Sequence, residues 1–286
     1  MSILYILYNN KQYKAMIFGF YFLVLVIISL LLYKIKYFTH PIVNKLVFHP
    51  TNQGYDPVIT VTFATDNTQN ISVPYIQFVH ENSKKYIIFA HGNACSMYTL
   101  SYYFRNICEI SKVNVISFEY PGYSVCPGTP SEYTCGQNLN ILIDHLINEK
   151  NIKQKNIYLV GQSIGTGIVA NYVATHDWSN SIMLISPYKT IASIVLKDNF
   201  INNILKSFFD MFETINKVDK INCPVKIVHG EKDELISIDH GKEIYEKLKY
   251  KLAPTWLQDA NHNNILNLID YDVWEEFLNS KLLPTE

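Results

Sequence analysis

Five short apolar runs alternate with longer stretches of helical periodicity, and this alternation restricts the possible folds more than any other feature of the sequence. The runs are KYIIFAHG (85–92), VNVISFEY (113–120), NIYLVG (156–161), SIMLIS (181–186) and PVKIVHG (224–230). Continuous apolar runs of this length are typical of parallel strands buried on both faces. Between them, residues 131–149 predict a helix that Ser131 and Glu132 open. The sequence therefore predicts an α/β fold, with a mostly parallel central sheet flanked by crossover helices.

Three other segments complete the predicted architecture. NKLVFHP (44–50) and PVITVTFAT (57–65) alternate with period two and predict an antiparallel meander at one edge, while 253–258 predicts one further strand. An insert at 187–218 interrupts the alternation. It carries apolar side chains at four-residue spacing, Phe200, Ile204, Phe208 and Phe212. This insert is either a small cap over a pocket or ordinary helix packing.

The composition fits one large globular domain, because 286 residues with 48% hydrophobic and 17% charged residues can bury a sizeable core. A formal net charge of −1 gives no basic field for a polyanion. We therefore expect no nucleic-acid partner.

Residues 15–33, AMIFGFYFLVLVIISLLLY, form an uncharged apolar segment near the N-terminus. As a helix it would span about 28 Å, close to the hydrocarbon thickness of a bilayer. The alternatives are a secretory signal and a buried helix, but no small-residue cleavage site follows. We predict a membrane anchor and connector at 1–41 and a catalytic domain at 42–286.

The side of the membrane that holds the catalytic domain is not determined by the sequence, because lysines flank the apolar segment on both sides. Five cysteines without C-x-x-C spacing favour reduced thiols; they are Cys95, Cys108, Cys126, Cys135 and Cys223. Against this, Asn70-Ile71-Ser72 matches a glycosylation sequon.

The stretch YLVGQSIGTGIVANYV, which begins at Tyr158, matches two motifs. Gly161 to Gly165 fits the G-x-S-x-G nucleophile elbow, and Gly165 to Ala170 fits a loose dinucleotide-binding loop. A dinucleotide loop belongs after the first strand, with an acidic residue ending the next one. Here the motif follows the third central strand, and SIMLISP ends without Asp or Glu. Ser163 is therefore the predicted nucleophile.

A nucleophilic serine needs a base and an acid, and in folds with a nucleophile elbow the chain order is Ser, acid, His. Asp233 follows the predicted strand 224–230, and His262 follows the predicted strand 253–258. Both would lie at the carboxyl edge of the sheet, beside Ser163. Other candidates are less well placed: Glu231 and Glu234 for the acid, and His91, His229 and His240 for the base.

Acyl transfer also requires donors for the developing oxyanion. The backbone N–H of Ile164, directly after the nucleophile, is one candidate, and that of Asn93, after the strand ending in His91-Gly92, is the second. Gly92-Asn93 could alternatively be a simple turn. The histidines and cysteines show no metal-ligand spacing, so no metal or other cofactor is expected.

Six segments, in order, carry a family resemblance: FAHGNACSM, FEYPGYSVCPGTPSE, VGQSIGTG, LISPYKTIASI, FDMFETINKVDKINCPVKIVHGEKDELISIDHG and DANHNN. They resemble the serine hydrolases of the alpha/beta hydrolase domain-containing protein 17 group, over residues 42–282. The resemblance implies an alpha/beta hydrolase fold, a Ser163, Asp233 and His262 triad, and membrane-associated protein depalmitoylase activity. One departure is that residues 1–41 contain no cysteine, whereas that group uses an acylated N-terminal cysteine cluster.

The sequence thus predicts a membrane-anchored serine hydrolase that cleaves acyl esters or thioesters, with protein depalmitoylation as the activity implied by the resemblance. The expected partners are an acylated protein or lipid substrate and the membrane bilayer. The alternatives are a lipase for monoacylglycerols or lysophospholipids and a catalytically silent binding module with the hydrolase fold.

Overall fold

A computed structural model describes residues 14–15, 17–26, 41–51, 58–196 and 210–280. Its centre is an eight-stranded sheet with the order β1-β2-β4-β3-β5-β6-β7-β8. The strands are β1 Thr62–Asp66, β2 Ile71–Phe78, β3 Tyr86–Ala90, β4 Asn114–Phe118, β5 Ile157–Gln162, β6 Ile182–Ile185, β7 Val225–Gly230 and β8 Thr255–Leu257. Strands β3 to β8 are mutually parallel, and β2 runs antiparallel to both β1 and β4.

Helices cover both faces of the sheet. They are α1 41–47, α2 Ser101–Ser111, α3 Glu132–Asp144, α4 Ile164–Thr175, α5 Ile191–Val195, α6 Ile238–Lys247, α7 Ile265–Leu268 and α8 Tyr271–Asn279. A π-helical turn, His145–Glu149, extends α3, and shorter 3₁₀ turns lie at Gln154–Asn156, Thr214–Asn216 and Val218–Lys220. Successive strand residues point to opposite faces, so Ile88 packs in one core cluster and Ile87 in the other.

The five predicted central strands and the strand at 253–258 are all present, each within a few residues of its predicted bounds. The predicted helix at 131–149 is confirmed as α3 and the π-helical turn that follows it. Ser131 caps α3, because its hydroxyl accepts a hydrogen bond from the Thr134 amide at 3.0 Å.

The predicted strand at 44–50 is wrong, because residues 41–47 are helical. Val43 and Val47, one turn apart, pack against the core, and this helical spacing prevails over the short alternation that suggested a strand. The antiparallel edge is formed instead by β1, in the second half of the predicted 57–65 segment, and β2, which was not predicted. Pro74 in the middle of β2 is atypical of an interior strand.

The predicted anchor and insert fall partly outside the described residues. In the anchor, residues 17–26 are helical and their apolar side chains are mostly exposed, while 16 and 27–33 are not described. Among the residues that the structure describes, no helix combines the length and the apolar character needed to cross a bilayer. In the insert, Phe200, Ile204 and Phe208 are not described, and Phe212 is buried.

Candidate active site

Ser163 occupies the sharp turn between β5 and α4. Its backbone has φ 51° and ψ −118°, a conformation that is strained for a residue with a side chain. Several hydrogen bonds hold the turn. The Ser163 amide donates to the Ile185 carbonyl at 2.9 Å, and the Thr166 amide and hydroxyl donate to the Ser163 carbonyl at 2.9 and 2.6 Å. These hydrogen bonds therefore maintain the strained backbone conformation of Ser163, which places the serine hydroxyl above the edge of the sheet.

The two glycines of the motif are required by backbone packing. A Cβ on Gly161 would collide with the Gly165 carbonyl, and a Cβ on Gly165 would collide with the Ala90 carbonyl. In both cases the obstacle is backbone, which cannot rotate away. The G-x-S-x-G spacing thus follows from the close passage of α4 over β5 and β3.

Replacement of Gly165 by alanine is expected to destabilise the fold by about 3 kcal/mol or more, because the new methyl group overlaps backbone atoms of β3. Gly136→Ala in α3 is the matched control. Its Cβ meets nothing within 4 Å, so this helical substitution should stabilise by about 0.5–1 kcal/mol. Chemical denaturation of the two variants measures the difference, and equal stabilities would contradict the packing argument.

Ser163, His262 and Asp233 form one hydrogen-bonded chain. His262 Nε2 lies 3.1 Å from Ser163 Oγ, and His262 Nδ1 lies 2.8 Å from Asp233 Oδ2. Ser163 follows β5, Asp233 follows β7 and His262 follows β8, so parallel strands bring all three to one edge of the sheet. Asp233 is buried, whereas His262 is partly exposed. The arrangement can pass a proton between the serine hydroxyl and the imidazole.

Local hydrogen bonds keep Asp233 ionised. Its Oδ1 accepts from the amides of Leu235 and Ile236 at 3.0 and 2.8 Å. Burial alone would raise the pKa of Asp233, but His229, His262 and the Ile236 amide together lower this pKa well below its ordinary value. His229 Nε2 is 3.6 Å from Asp233 Oδ2, and its short hydrogen bond goes to the Ile236 carbonyl at 2.8 Å. A carboxylate in this state can hold His262 with its proton on Nδ1.

The other candidate acids and bases take no part in the hydrogen bonds that the structure describes between Ser163, His262 and Asp233. Glu231 and Glu234 are exposed, and Asp233 makes the contact with His262. His240 Nδ1 accepts from the Lys189 amide at 3.1 Å, and His229 is buried within β7. These histidines hold loops around the site rather than contacting Ser163.

Both predicted oxyanion donors border the cavity that contains Ser163. Ile164 is the first residue of α4, where the amide has no acceptor within the helix. Asn93 follows β3 and is fixed by its side chain: Nδ2 donates to the Val47 carbonyl at 2.6 Å, and Oδ1 accepts from Tyr123 OH at 2.6 Å. The structure thus places both residues beside the serine.

The cavity at Ser163 has a volume of about 510 Å³ and is lined mainly by apolar side chains. Helix α1 contributes Leu46, α5 contributes Val195 and the loop after β7 contributes Leu235. These three side chains are 71%, 80% and 59% exposed, so they form the rim of the cavity mouth. We refer to them as the apolar rim.

Sequence reasoning missed two parts of this site. Helix α1, predicted as a strand, forms one wall of the cavity. His91 and Glu119, at the ends of β3 and β4, form a fully buried pair beneath the Gly92-Asn93 loop. The signal for the pair was a glutamate at the end of an apolar run, VNVISFEY, where a charge is costly unless it is paired.

A nucleophile elbow on a mostly parallel sheet, with a histidine and an aspartate brought to it from later strand ends, defines the alpha/beta hydrolase class. An alpha/beta hydrolase of Acanthamoeba polyphaga mimivirus is 36% identical over 234 residues, which cover 80% of this chain and 86% of that protein. The chain belongs to the alpha/beta hydrolase family, and it is similar to alpha/beta hydrolase domain-containing protein 17.

Other comparisons agree with this assignment. Human alpha/beta hydrolase domain-containing protein 17B is 30% identical over 185 residues, covering 64% of this chain and 62% of that protein, so the match spans less than two thirds of the human relative. No protein-family model matches the chain.

Solved structures share the fold at low sequence identity. Est1E of Butyrivibrio proteoclasticus with bound ferulic acid superposes with a TM-score of 0.61 at 17% identity, covering 76% of this chain and 97% of Est1E. An esterase of Pyrococcus furiosus gives a TM-score of 0.59 at 18% identity, covering 80% of this chain and 95% of that esterase. The predicted alpha/beta hydrolase fold is thereby confirmed, and the relatives support hydrolase activity in general.

Proposed function

We propose that the protein is a serine hydrolase of acyl esters or thioesters, with Ser163 as nucleophile, His262 as general base and Asp233 as the residue that orients His262. The observation that carries this proposal is the hydrogen-bonded chain from Ser163 Oγ through His262 to Asp233 Oδ2. A strained serine at an elbow and an ionised, buried aspartate also support it.

In the proposed reaction, Ser163 Oγ attacks the acyl carbonyl carbon while His262 Nε2 takes the hydroxyl proton. The amides of Asn93 and Ile164 donate hydrogen bonds to the resulting oxyanion. Collapse of this intermediate breaks the bond from carbon to the leaving oxygen or sulfur, and His262 Nε2 returns the proton to the leaving group. Water then repeats the sequence on the acyl-enzyme, releasing a carboxylic acid and free Ser163.

The lining of the cavity supports an acyl chain as the substrate group. Apolar side chains from α1, α5 and the loop after β7 surround Ser163, with few charged groups among them. A cavity of about 510 Å³ is within the size range of small-molecule sites. Protein depalmitoylation is the activity that the family resemblance favours, and it hydrolyses the thioester that links a long acyl chain to a cysteine.

We further propose that the protein is anchored in a membrane by a single pass at 15–33. The uncharged apolar sequence supports this. The exposed apolar rim supports it independently, since Leu46, Val195 and Leu235 would face water in an unattached enzyme. Helix α1 lies eight residues after the apolar segment, so the rim would be held near the bilayer surface.

Labelling of the full chain with a serine-directed fluorophosphonate, followed by a substrate panel, tests the proposed function. Labelling at Ser163 and hydrolysis of long-chain acyl thioesters is the expected result. Faster hydrolysis of monoacylglycerols or lysophospholipids would indicate a lipase instead. A folded protein that neither reacts with the probe nor hydrolyses any ester would be a silent binding module.

Deletion of residues 1–36 is expected to separate chemistry from membrane access. The truncated protein keeps α1 and the cavity, so kcat/KM on a short water-soluble ester should change by less than about twofold. Activity on acyl groups carried by vesicles should fall at least about tenfold, because the anchor no longer raises the local concentration of enzyme at the bilayer. Vesicle co-sedimentation after carbonate washing provides the second measurement.

Two outcomes would count against the anchor. A truncated protein that still pellets with carbonate-washed vesicles would assign membrane binding to the apolar rim. A truncated protein with full activity on vesicle substrates would show that the N-terminal segment does not control access to them.

A further inference from the structure

His91 and Glu119 form a buried ionisable pair beside the site, and the chemical steps above do not use it. Both side chains are completely excluded from solvent, and His91 Nε2 lies 2.9 Å from Glu119 Oε1. The other carboxylate oxygen accepts from the Met97 amide at 3.2 Å, and the His91 ring stacks on Tyr120. A carboxylic side chain is almost never fully buried unless it is paired, so the contact with His91 is what makes this position tolerable for Glu119.

The hydrogen-bond partners of His91 determine where its proton lies. His91 Nδ1 is 2.9 Å from the Gly92 carbonyl oxygen, which can only accept. Nδ1 must therefore carry a proton. Glu119 secures this state from the opposite side of the ring, because one further proton shared between Nε2 and Oε1 leaves the Nδ1 proton in place. The pair thus works as a fixed donor to the Gly92 carbonyl.

That carbonyl belongs to the same peptide unit as the Asn93 amide. The described residues contain no cis peptide bond, so the C=O of Gly92 and the N–H of Asn93 point in opposite directions. Fixing the carbonyl toward His91 directs the Asn93 N–H away from His91. Gly92 also packs against Ser163, since a Cβ at Gly92 would lie 3.7 Å from the Ser163 Cβ.

We propose that His91 and Glu119 are positioning residues that set the direction of the Asn93 oxyanion donor. The proposal rests on the proposed function, because an oxyanion donor has a role only if Ser163 attacks an acyl carbonyl. His91 acts through the Gly92-Asn93 peptide and does not touch the substrate. Glu119 acts one step further away, by holding the ring of His91.

A comparison of oxygen and sulfur substrates distinguishes this role from a purely structural one. A thionoester places sulfur, a poor hydrogen-bond acceptor, where the oxyanion would form. An effective oxyanion site therefore favours the ordinary ester strongly, and a misdirected donor reduces that preference. A variant that is merely less stable would slow both substrates equally.

The variants are chosen so that no buried carboxylate loses its partner. Glu119→Gln alone is the control, because the amide can donate to His91 Nε2 and accept from the Met97 amide. The double variant Glu119→Gln with His91→Phe keeps the ring stacked on Tyr120 but removes the side-chain donor to the Gly92 carbonyl, which then keeps only the longer bond, 3.4 Å, from the Cys95 amide. A third variant, Glu119→Gln with His91→Asn, returns an N–H near the position of Nδ1.

Glu119→Gln should keep the ester-to-thionoester ratio of kcat/KM within about threefold of wild type. The double variant with phenylalanine should lower this ratio and kcat by about 10-fold or more, with little change in KM, and the asparagine variant should recover part of the loss. His145→Phe is a further control. It removes a buried histidine that contacts Tyr75 and Glu149 away from the site, and should leave the ratio unchanged.

An unchanged ratio in the folded phenylalanine variant would overturn the proposal. If that variant does not fold, Glu119→Leu, which removes the partner of His91 Nε2, must lower the ratio for the proposal to stand. If wild-type protein hydrolyses neither substrate, the proposed function fails. The claim that His91 Nδ1 donates to the Gly92 carbonyl is then tested separately with the ¹⁵N resonances of the His91 ring. A ring that carries a proton on Nε2 alone would overturn the proposal.

Discussion

Ser163→Ala is expected to abolish fluorophosphonate labelling and to reduce ester hydrolysis to the background rate, a loss of about 10⁴-fold or more in kcat. The reason is that alanine removes the oxygen 3.1 Å from His262 Nε2, and no acyl-enzyme can then form. The fold should be retained, because the change deletes one atom and the hydrogen bonds that hold the turn use the backbone groups of Ser163, not its hydroxyl. Gel-based labelling and burst kinetics measure the effect.

Ser186→Ala is the matched control for this experiment. Ser186 is also a buried serine with positive φ at the end of a parallel strand, β6, but the structure gives its hydroxyl no hydrogen-bond partner. Its replacement should leave labelling and turnover near wild type. Wild-type turnover by folded Ser163→Ala, or equal losses in the two variants, would show that Ser163 is not the nucleophile.

Asp233→Asn should lower kcat by about 10³- to 10⁴-fold with a small change in KM. The amide would present an N–H to His262 Nδ1 and favour the tautomer with its proton on Nε2, which cannot accept the Ser163 proton. Kinetics at saturating substrate, together with circular dichroism, give the measurement.

Asp259→Asn controls for the loss of one aspartate charge. Asp259 is exposed and pairs with exposed Lys232 at 2.6 Å, so its replacement should change activity by less than about twofold. If Asp233→Asn retained wild-type kcat, another residue would have to orient His262. Exposed Glu231 and Glu234 would then be the first to replace.

The placement of Ser163, Asp233 and His262 at one edge of the sheet could be predicted because it depends on strand ends. Apolar runs mark the strands strongly, and parallel strands bring their carboxyl ends to one edge. Ser163, Asp233 and His262 each follow such a run. Their positions in the sequence relative to the predicted strands were therefore enough to predict that they lie close together. The glycines around Ser163 carried the additional information that the turn is sharp.

The walls of the site could not be predicted in the same way. The segment 41–47 is so short that its apolar residues fit the period of a strand as well as that of a helix. The helix is favoured by the packing of Val43 and Val47 against the core, which is formed by residues far away in the sequence. His91 and Glu119 are 28 residues apart in the chain and follow two different strands. No local sequence pattern indicates which buried polar residues will contact each other. Both features depend on tertiary contacts, which a single sequence does not encode locally.

The Asn93 side chain joins the loop after β3 to the segment that precedes the sheet in the chain. Its amide group donates to the Val47 carbonyl at 2.6 Å, and its oxygen accepts from the His49 amide at 2.9 Å. A truncation that enters residues 41–49 is therefore expected to disturb the loop after β3, whereas one that ends before residue 41 leaves both bonds in place. Under the proposed anchoring at 15–33, these bonds connect the Asn93 loop with the chain that leaves the bilayer, so the placement of the enzyme at the membrane and the position of the proposed oxyanion donor depend on one short stretch of sequence.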